Sequence, residues 1–277
     1  MNRTMITATN TLGQLQRQMD VLGNNIANVD TTGFKRREAT FTDLLVQQFD
    51  NLPGGDPDTA AVRLTPEGIR QGAGAKLGQI QMIMTQGTLK TTDRPLDTAF
   101  TKEGLLYRIQ VQRDGVYETQ YTRDGAFYLS PLSQNEMMLV TNSGQPVLDE
   151  NNEPVVIEGQ AKDYTINETG TLTVNMEDGS QQNVNLGVSL VNNPQFLEQK
   201  GGNLLGLPAG IEADGVLTDL NGALRRQISI RSGALELSNV DLSKEMTDLM
   251  TAQRSYQFQA RSINMADQMM GLINGIR

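Results

Sequence analysis

The sequence predicts an α+β chain: paired N- and C-terminal coiled-coil helices flanking a central antiparallel β-rich domain. Three observations carry this. Apolar residues recur every three or four positions over the first thirty residues. The same spacing returns over the last thirty-seven. Between them the period falls to two, and Asp-Gly pairs punctuate the short runs.

The N-terminal pattern is the clearest. Met5, Ala8, Leu12, Leu15, Met19, Leu22, Ile26 and Val29 form a narrow seam with a period near 3.5, the spacing of a coiled coil. Around it lie Gln14, Gln16, Arg17, Gln18, Asp20, Asn24 and Asn25. Gly13 and Gly23 weaken the helix by about 1 kcal/mol each relative to Ala. Turn chemistry in Asp30-Thr31-Thr32-Gly33 stops it near Asn28.

The C-terminal segment reads as a partner helix. Ser238 and Asp241 stand in capping-box spacing. Leu242, Met246, Leu249, Ala252, Tyr256, Ala260, Ile263, Ala266, Met270 and Ile273 then make one stripe. Gln253, Gln257, Gln259, Asn264 and Gln268 leave the remaining surface polar and mostly uncharged. Burying such apolar side chains contributes about 1.5–3 kcal/mol each before ordering entropy is subtracted. Two seams at opposite ends of one chain meet as an antiparallel pair. One pair shelters only one side of each helix, so further partners are expected.

In the centre, Leu105, Tyr107, Ile109 and Val111 alternate with Leu106, Arg108, Gln110 and Gln112, and Asp114-Gly115 turns the chain into 116–122. Asp-Gly recurs at 124–125, 178–179 and 214–215, and Asn142-Ser143-Gly144 makes a similar break. Strand-like runs follow at 127–129, 137–141, 155–157, 164–167, 171–175 and 184–191, which indicates an antiparallel sandwich or barrel-like domain. A Gly-, Pro- and Asp-rich stretch at 50–76 reads as an extended connection, and 226–231 reads as a late strand. The expected divisions are a helix with its turn at 1–34, a connection at 35–95, the β domain at 96–192, a return connection with β elements at 193–237 and the second helix at 238–277.

Composition narrows the function classes. The 277 residues include no Cys and no His, which removes thiolate chemistry, disulfides, the usual neutral general base and the commonest metal ligand. No phosphate loop or nucleophile motif is present, so neither an enzyme nor a cofactor is expected. The thirteen Met residues read as adaptable packing rather than metal ligands. Net charge is −9 overall. Residues 1–37 carry five basic and two acidic side chains and 241–277 carry four of each, which leaves −12 in the middle. An acidic centre argues against a nucleic-acid groove. Nothing resembles a membrane span or the apolar core of a cleavable signal peptide, so the chain is expected in the cytoplasm or exported by another route. Lys35, Arg36 and Arg37 read as a solvated turn.

The run Asn24-Asn25-Ile26-Ala27-Asn28-Val29-Asp30-Thr31-Thr32-Gly33-Phe34-Lys35 resembles the signature of the flagellar basal-body rod and hook proteins. Ala39-Thr40-Phe41-Thr42-Asp43-Leu44-Leu45 continues the likeness. Ser238-Asn239-Val240-Asp241-Leu242, Glu245-Met246 and Ala252-Gln253-Arg254-Ser255-Tyr256 are similar to the family's C-terminal hallmark. Gln86-Gly87-Thr88-Leu89, Pro95-Leu96-Asp97 and Tyr121-Thr122-Arg123-Asp124-Gly125-Ala126-Phe127 match the distal rod type. One departure stands out: where the family usually has paired aromatics, Leu105-Leu106 occur, so packing there should differ.

The resemblance implies a structural subunit of the bacterial flagellar rod, polymerising helically through its terminal helices to transmit torque in motility. The implied partners are copies of itself, other rod and hook subunits and the flagellar type III export apparatus, with no nucleic acid and no small-molecule substrate. It also implies termini that are disordered in the free monomer and fold on assembly. Asn24, Asn25, Asn28, Thr32, Gly33, Phe34 and Lys35 would form the signature turn, with the asparagines capping it or bonding to neighbouring subunits. The alternative is a secreted β-rich adhesin or carbohydrate-binding module with helical ends. It would need exposed aromatic platforms, and aromatics are only 5% of the chain.

Overall fold

The computed structural model describes all residues except 1, 44–45, 50–68, 73–74, 114, 160, 209, 212, 214 and 276–277. Most of the Gly- and Pro-rich connection at 50–76 therefore lies outside the described residues, as do Leu44, Leu45 and the Asp of two Asp-Gly pairs, Asp114 and Asp214.

The chain is α+β, with a helix at each end and a β-rich middle. Helix α1 (Asn2–Ala27) is followed by β1 (Arg37–Asp43), β2 (Val46–Phe49), β3 (Ile69–Gly72) and β4 (Ala75–Met82). Then come β5 (Leu89–Thr91), β6 (Thr98–Phe100), β7 (Leu105–Arg113), β8 (Val116–Thr122), β9 (Tyr128–Pro131), β10 (Glu136–Val140) and β11 (Val156–Glu158). The middle continues with β12 (Ala161–Ile166), β13 (Thr171–Met176), β14 (Gln181–Asn185) and β15 (Val188–Val191). It closes with β16 (Glu198–Gly201), β17 (Leu204–Gly206), β18 (Leu217–Asp219), β19 (Ile230–Ser232) and β20 (Ala234–Glu236), before helix α2 (Leu242–Gly275).

Contacts group the chain into two compact units. One comprises 1–24, 38–80 and 243–277, and the other comprises 25–37 and 81–242. In the first, β1 pairs with β4 and β2 pairs antiparallel with β3, so the expected extended connection contains two ladders. Thr40 stitches the first ladder, its Oγ1 donating to Gln79 O at 3.0 Å.

The second unit is built on a six-stranded sheet in the order β16-β17-β8-β7-β15-β18. Residues 193–237, expected as a return connection with β elements, supply three of these strands. The run 184–191 splits at Leu186-Gly187: β14 joins a sheet with β12 and β13, whereas β15 pairs with β7 and β18. The strand expected at 226–231 is instead a 3-10 helix over Gly222–Gln227 followed by β19. Arg225, inside that turn, donates to Leu186 O, Thr169 O and Gly170 O, and this anchors the segment away from a ladder.

Alternation along β7 sets the core. Leu105, Tyr107 and Ile109 enter the larger hydrophobic cluster with Phe100, Phe127 and Leu139. Leu106, on the other face, enters a smaller cluster with Met82, Tyr121 and Leu205. The adjacent leucines thus serve two cores, one on each side of the strand. Tyr107 packs against Phe100 with centroids 4.2 Å apart and meets Phe127 edge-on at 4.9 Å. Its hydroxyl donates to Thr98 Oγ1 at 2.7 Å.

The polar face of β7 is also buried at Arg108. That guanidinium pairs with Asp219 Oδ2 at 2.8 Å and donates to Asn152, Asn221 and the carbonyls of Asp149 and Glu150. Asp124-Gly125, expected as a turn, is instead a close crossing. A Cβ on Gly125 would lie 2.0 Å from Thr98 O, which accepts no side chain there.

Phe127→Ala should lower unfolding free energy by about 3–5 kcal/mol. Tyr117→Ser, at an exposed hairpin position, should change it by less than about 0.5 kcal/mol. Denaturant unfolding of both variants checks the placement of the core, and equal effects would contradict it.

Candidate assembly interface

The segment after α1 is tied into a tight turn by its own polar groups. The last helical turn tightens, with Asn28 N donating to Asn25 O and Val29 N to Ile26 O. Thr31 Oγ1 donates to Asn28 Oδ1 at 3.1 Å. Asn25 is fully buried, and both ends of its amide are used on one residue. Its Nδ2 donates to Arg37 O at 2.8 Å, and its Oδ1 accepts from Arg37 N at 3.0 Å. The sequence reading allowed Asn25 either an intersubunit or a capping role; its amide is engaged within the chain, where it closes the turn.

Gly33 takes φ +67° and donates its N–H to Glu236 O at 2.8 Å. A Cβ there would sit 2.5 Å from Asp124 N, so both conformation and space demand glycine. Phe34 is buried beside it, and Thr32 O accepts from Asn203 Nδ2 at 2.6 Å. Burial pushes the Asp124 carboxyl pKa up, against hydrogen bonds from Ala126 N and the Thr32 side chain.

Lys35 overturns the solvated-turn expectation. It is 4% exposed, and its Nζ donates to Glu236 Oε1 at 2.6 Å and to Thr85 O at 2.7 Å. Glu236 Oε1 also accepts from Gly87 N at 2.8 Å, and its Oε2 accepts from Arg123 Nε at 2.6 Å. Arg123 in turn donates to Leu105 O and Lys102 O and lies 4.9 Å above the Phe100 ring. One buried carboxylate therefore holds two buried cations. Burial, then the Arg123 charge, draws the Lys35 ammonium pKa below its usual value, while Glu236 pulls the other way.

A second tie lies one residue along. Asn239 Oδ1 accepts from Arg36 N at 2.7 Å, and its Nδ2 donates to Ile83 O and Thr85 O. The physical reason for the correction is partner supply: three basic residues in a row look solvated until the fold delivers a carboxylate from 201 positions away. Sequence reasoning missed Glu236 and Arg123 because no local spacing links them to Lys35.

The seam residues divide by exposure. On α1, Ala8 and Leu22 are buried, and Met5, Leu12, Leu15, Met19, Ile26 and the following Val29 are half-buried. On α2, Ala252 and Ala266 are buried, and Leu249, Tyr256, Ala260, Ile263 and Met270 are half-buried. Leu242, Met246 and Ile273 are exposed at 46%, 45% and 53%. Asn24 is exposed and Asn28 is half-buried.

A second apolar face on α2 went unnoticed in the sequence. Met250, Phe258, Met265, Met269 and Leu272 are exposed and recur at steps of eight, seven, four and three, so they share one side of the helix. It lies opposite the Leu249–Met270 stripe. The signal was available as a second register of the same period. By contrast, the exposed side of α1 carries Ile6 among polar residues such as Gln16, Arg17 and Asp20. No helix among the described residues is long and apolar enough to cross a membrane.

A helix at each end with exposed apolar residues and a β-rich middle define an α+β class of protein. Family models place it. Residues 5–35 match the flagella basal body rod protein model, 107–174 the flagellar hook protein FlgE/F/G D1 domain, and 231–276 the flagellar basal body rod FlgEFG protein C-terminal model. The chain belongs to the flagellar basal-body rod and hook protein family. It is 44% identical to the flagellar hook-basal body complex protein FlhP of Bacillus subtilis, over the full length of both chains. It is 34% identical to the flagellar basal-body rod protein FlgG of Borreliella burgdorferi, covering 100% of this chain and 99% of that one. Identity to FlgG of Agrobacterium fabrum is also 34%, covering 98% of each.

Glu236→Gln strands two buried cations and should cost about 3–5 kcal/mol. Lys35→Met leaves the Glu236–Arg123 pair intact and should cost clearly less. Thermal unfolding of the two variants decides it, and the opposite ranking would refute a carboxylate-centred clasp.

Proposed function

We propose that the chain is a structural subunit of the bacterial flagellar rod, exported without a cleaved signal and built into the basal body by helical polymerisation. Its partners are copies of itself and other rod and hook subunits, reached through the type III export apparatus. In this reading the helices at 1–34 and 238–277 pair as coiled-coil seams in the tube. The rod carries torque, and the chain does no chemistry.

The carrying observation is the apolar surface of α2. One seam on α1 can cover only one side of α2, and α2 presents two. Length points the same way: 26 residues against 34 leaves α2 about 12 Å longer. Other copies of the chain supply the shelter for the excess in this reading. The segments that follow α1 and precede α2 are clasped within the β-rich unit through Lys35, Glu236 and Asn239.

The assembly residues proposed are Met5, Ala8, Leu12, Leu15, Met19, Leu22, Ile26 and Val29 with Leu242, Met246, Leu249, Tyr256, Ile263 and Met270. Leu15→Asp, and separately Leu22→Asp, should abolish incorporation into basal bodies while the far-UV and thermal signature of the β-rich unit persists. A deletion strain should be non-motile and lack hooks. Wild-type numbers of rods built from a Leu15→Asp chain would overturn the proposal.

A further inference from the structure

The exposed face of α2 is rich in thioethers. Met246, Met250, Met265 and Met269 are 45%, 49%, 56% and 51% exposed, and each pair is spaced by four residues on adjoining helical turns. Among the described residues, Met82 and Met176 are buried at 8% exposure, and Met5, Met19, Met84, Met137, Met138 and Met270 are half-buried. Thioether reactivity follows exposure, and oxidation turns a flexible apolar side chain into a polar sulfoxide. The chain has no cysteine to consume oxidant first.

We infer that these four methionines, Met246 on the first stripe and the other three on the second face, form an oxidation site through which a peroxide blocks assembly, a regulatory modification of the helix proposed to receive a second copy of the chain. The inference rests on that assembly reading. In the step, the thioether sulfur attacks one peroxide oxygen, the O–O bond breaks and an S=O bond forms. The sulfur loses two electrons, hydrogen peroxide is reduced, and water leaves with both hydrogens. The reverse step needs a dithiol-dependent sulfoxide reductase.

The occupant is a second copy for a reason of supply. α2 carries more apolar face than the single seam of α1 can cover, and every copy brings the same excess. Arg254 and Arg261 lie on this face beside Met250, Phe258 and Met265. A second copy, with net −12 between its terminal segments, offers the carboxylates that two guanidiniums need. A sulfoxide in such a contact places a strong acceptor where a methyl thioether packed.

The test uses the full-length chain and hydrogen peroxide. Peptide mass spectrometry over a time course should show the 16-dalton gain at Met246, Met250, Met265 and Met269 about tenfold faster than at Met82 or Met176. In cells, a chain carrying Met250→Gln, Met265→Gln and Met269→Gln, which imitates the sulfoxide's polarity, should be lost from isolated basal bodies. The matching Leu variants should assemble and resist a peroxide dose that stops assembly of the wild type. Equal oxidation rates, or normal assembly of the Gln variant, overturn the inference. Phe258→Asp separates the two ideas because it carries no thioether. If Phe258→Asp blocks assembly and the Gln variant does not, only the oxidation site fails. If Phe258→Asp also assembles normally, the assembly reading of this face fails with it.

Discussion

The structure turns on one buried carboxylate. Glu236, at the end of β20, accepts hydrogen bonds from Lys35, Arg123 and the backbone of Gly87 at 2.6, 2.6 and 2.8 Å. Its own backbone oxygen receives Gly33 N. Through it, the turn that follows α1, the crossing at Asp124-Gly125 and the strand that leads to α2 share one anchor. Two cations and one anion in a dry site are costly to assemble, and the Glu236 carboxylate together with the carbonyls of Thr85, Leu105 and Lys102 offsets that cost. Such a site specifies geometry more than it adds stability. It tolerates no slip of β20 by one residue, since a slip would turn the carboxylate to the other face.

The polar clasp and the apolar helices divide the work of cohesion. Within the β-rich unit, two hydrophobic clusters on either side of β7 supply the bulk of the driving force, and charged networks at Glu236 and Arg108 fix the register. The helices follow the opposite rule. The charged residues of α1 are only Arg3, Arg17 and Asp20, and α2 leaves Phe258 and Leu272 66% and 70% exposed. Exposed apolar area of this extent is the feature on which the proposed assembly rests. Internal order comes from polar specificity, while the assembly proposed above would draw on hydrophobic area.

Much of the molecule was legible from residue spacing. The end of the first helix near residue 28 followed from period and turn chemistry, whereas the second helix, expected from 238 with Ser238 and Asp241 as candidate caps, begins at Leu242. Several strands followed from alternation and turns, with bounds shifted by a residue or two. Other parts could not be read. Leu105-Leu106 read as a departure from paired aromatics, and only the sheet order showed two cores with one leucine in each. Arg108 read as the polar side of an alternating strand, yet Asp219, Asn152 and Asn221 come from far along the chain to receive it. Lys35 read as solvated for the same reason.

By itself the sequence determined the helix-strand-helix order, the apolar seams, the absence of thiol and imidazole chemistry and the kinship carried by the turn at Asn24–Lys35. These properties are local or additive: helical period, side-chain type and turn geometry act within a few residues of one another. Tertiary structure alone decided that Glu236 meets Lys35 and Arg123, that 198–219 joins the central sheet and that α2 keeps a bare second face. Those outcomes depend on which distant groups arrive together, and burial of a charge or exposure of a methionine is settled only when the neighbours are known.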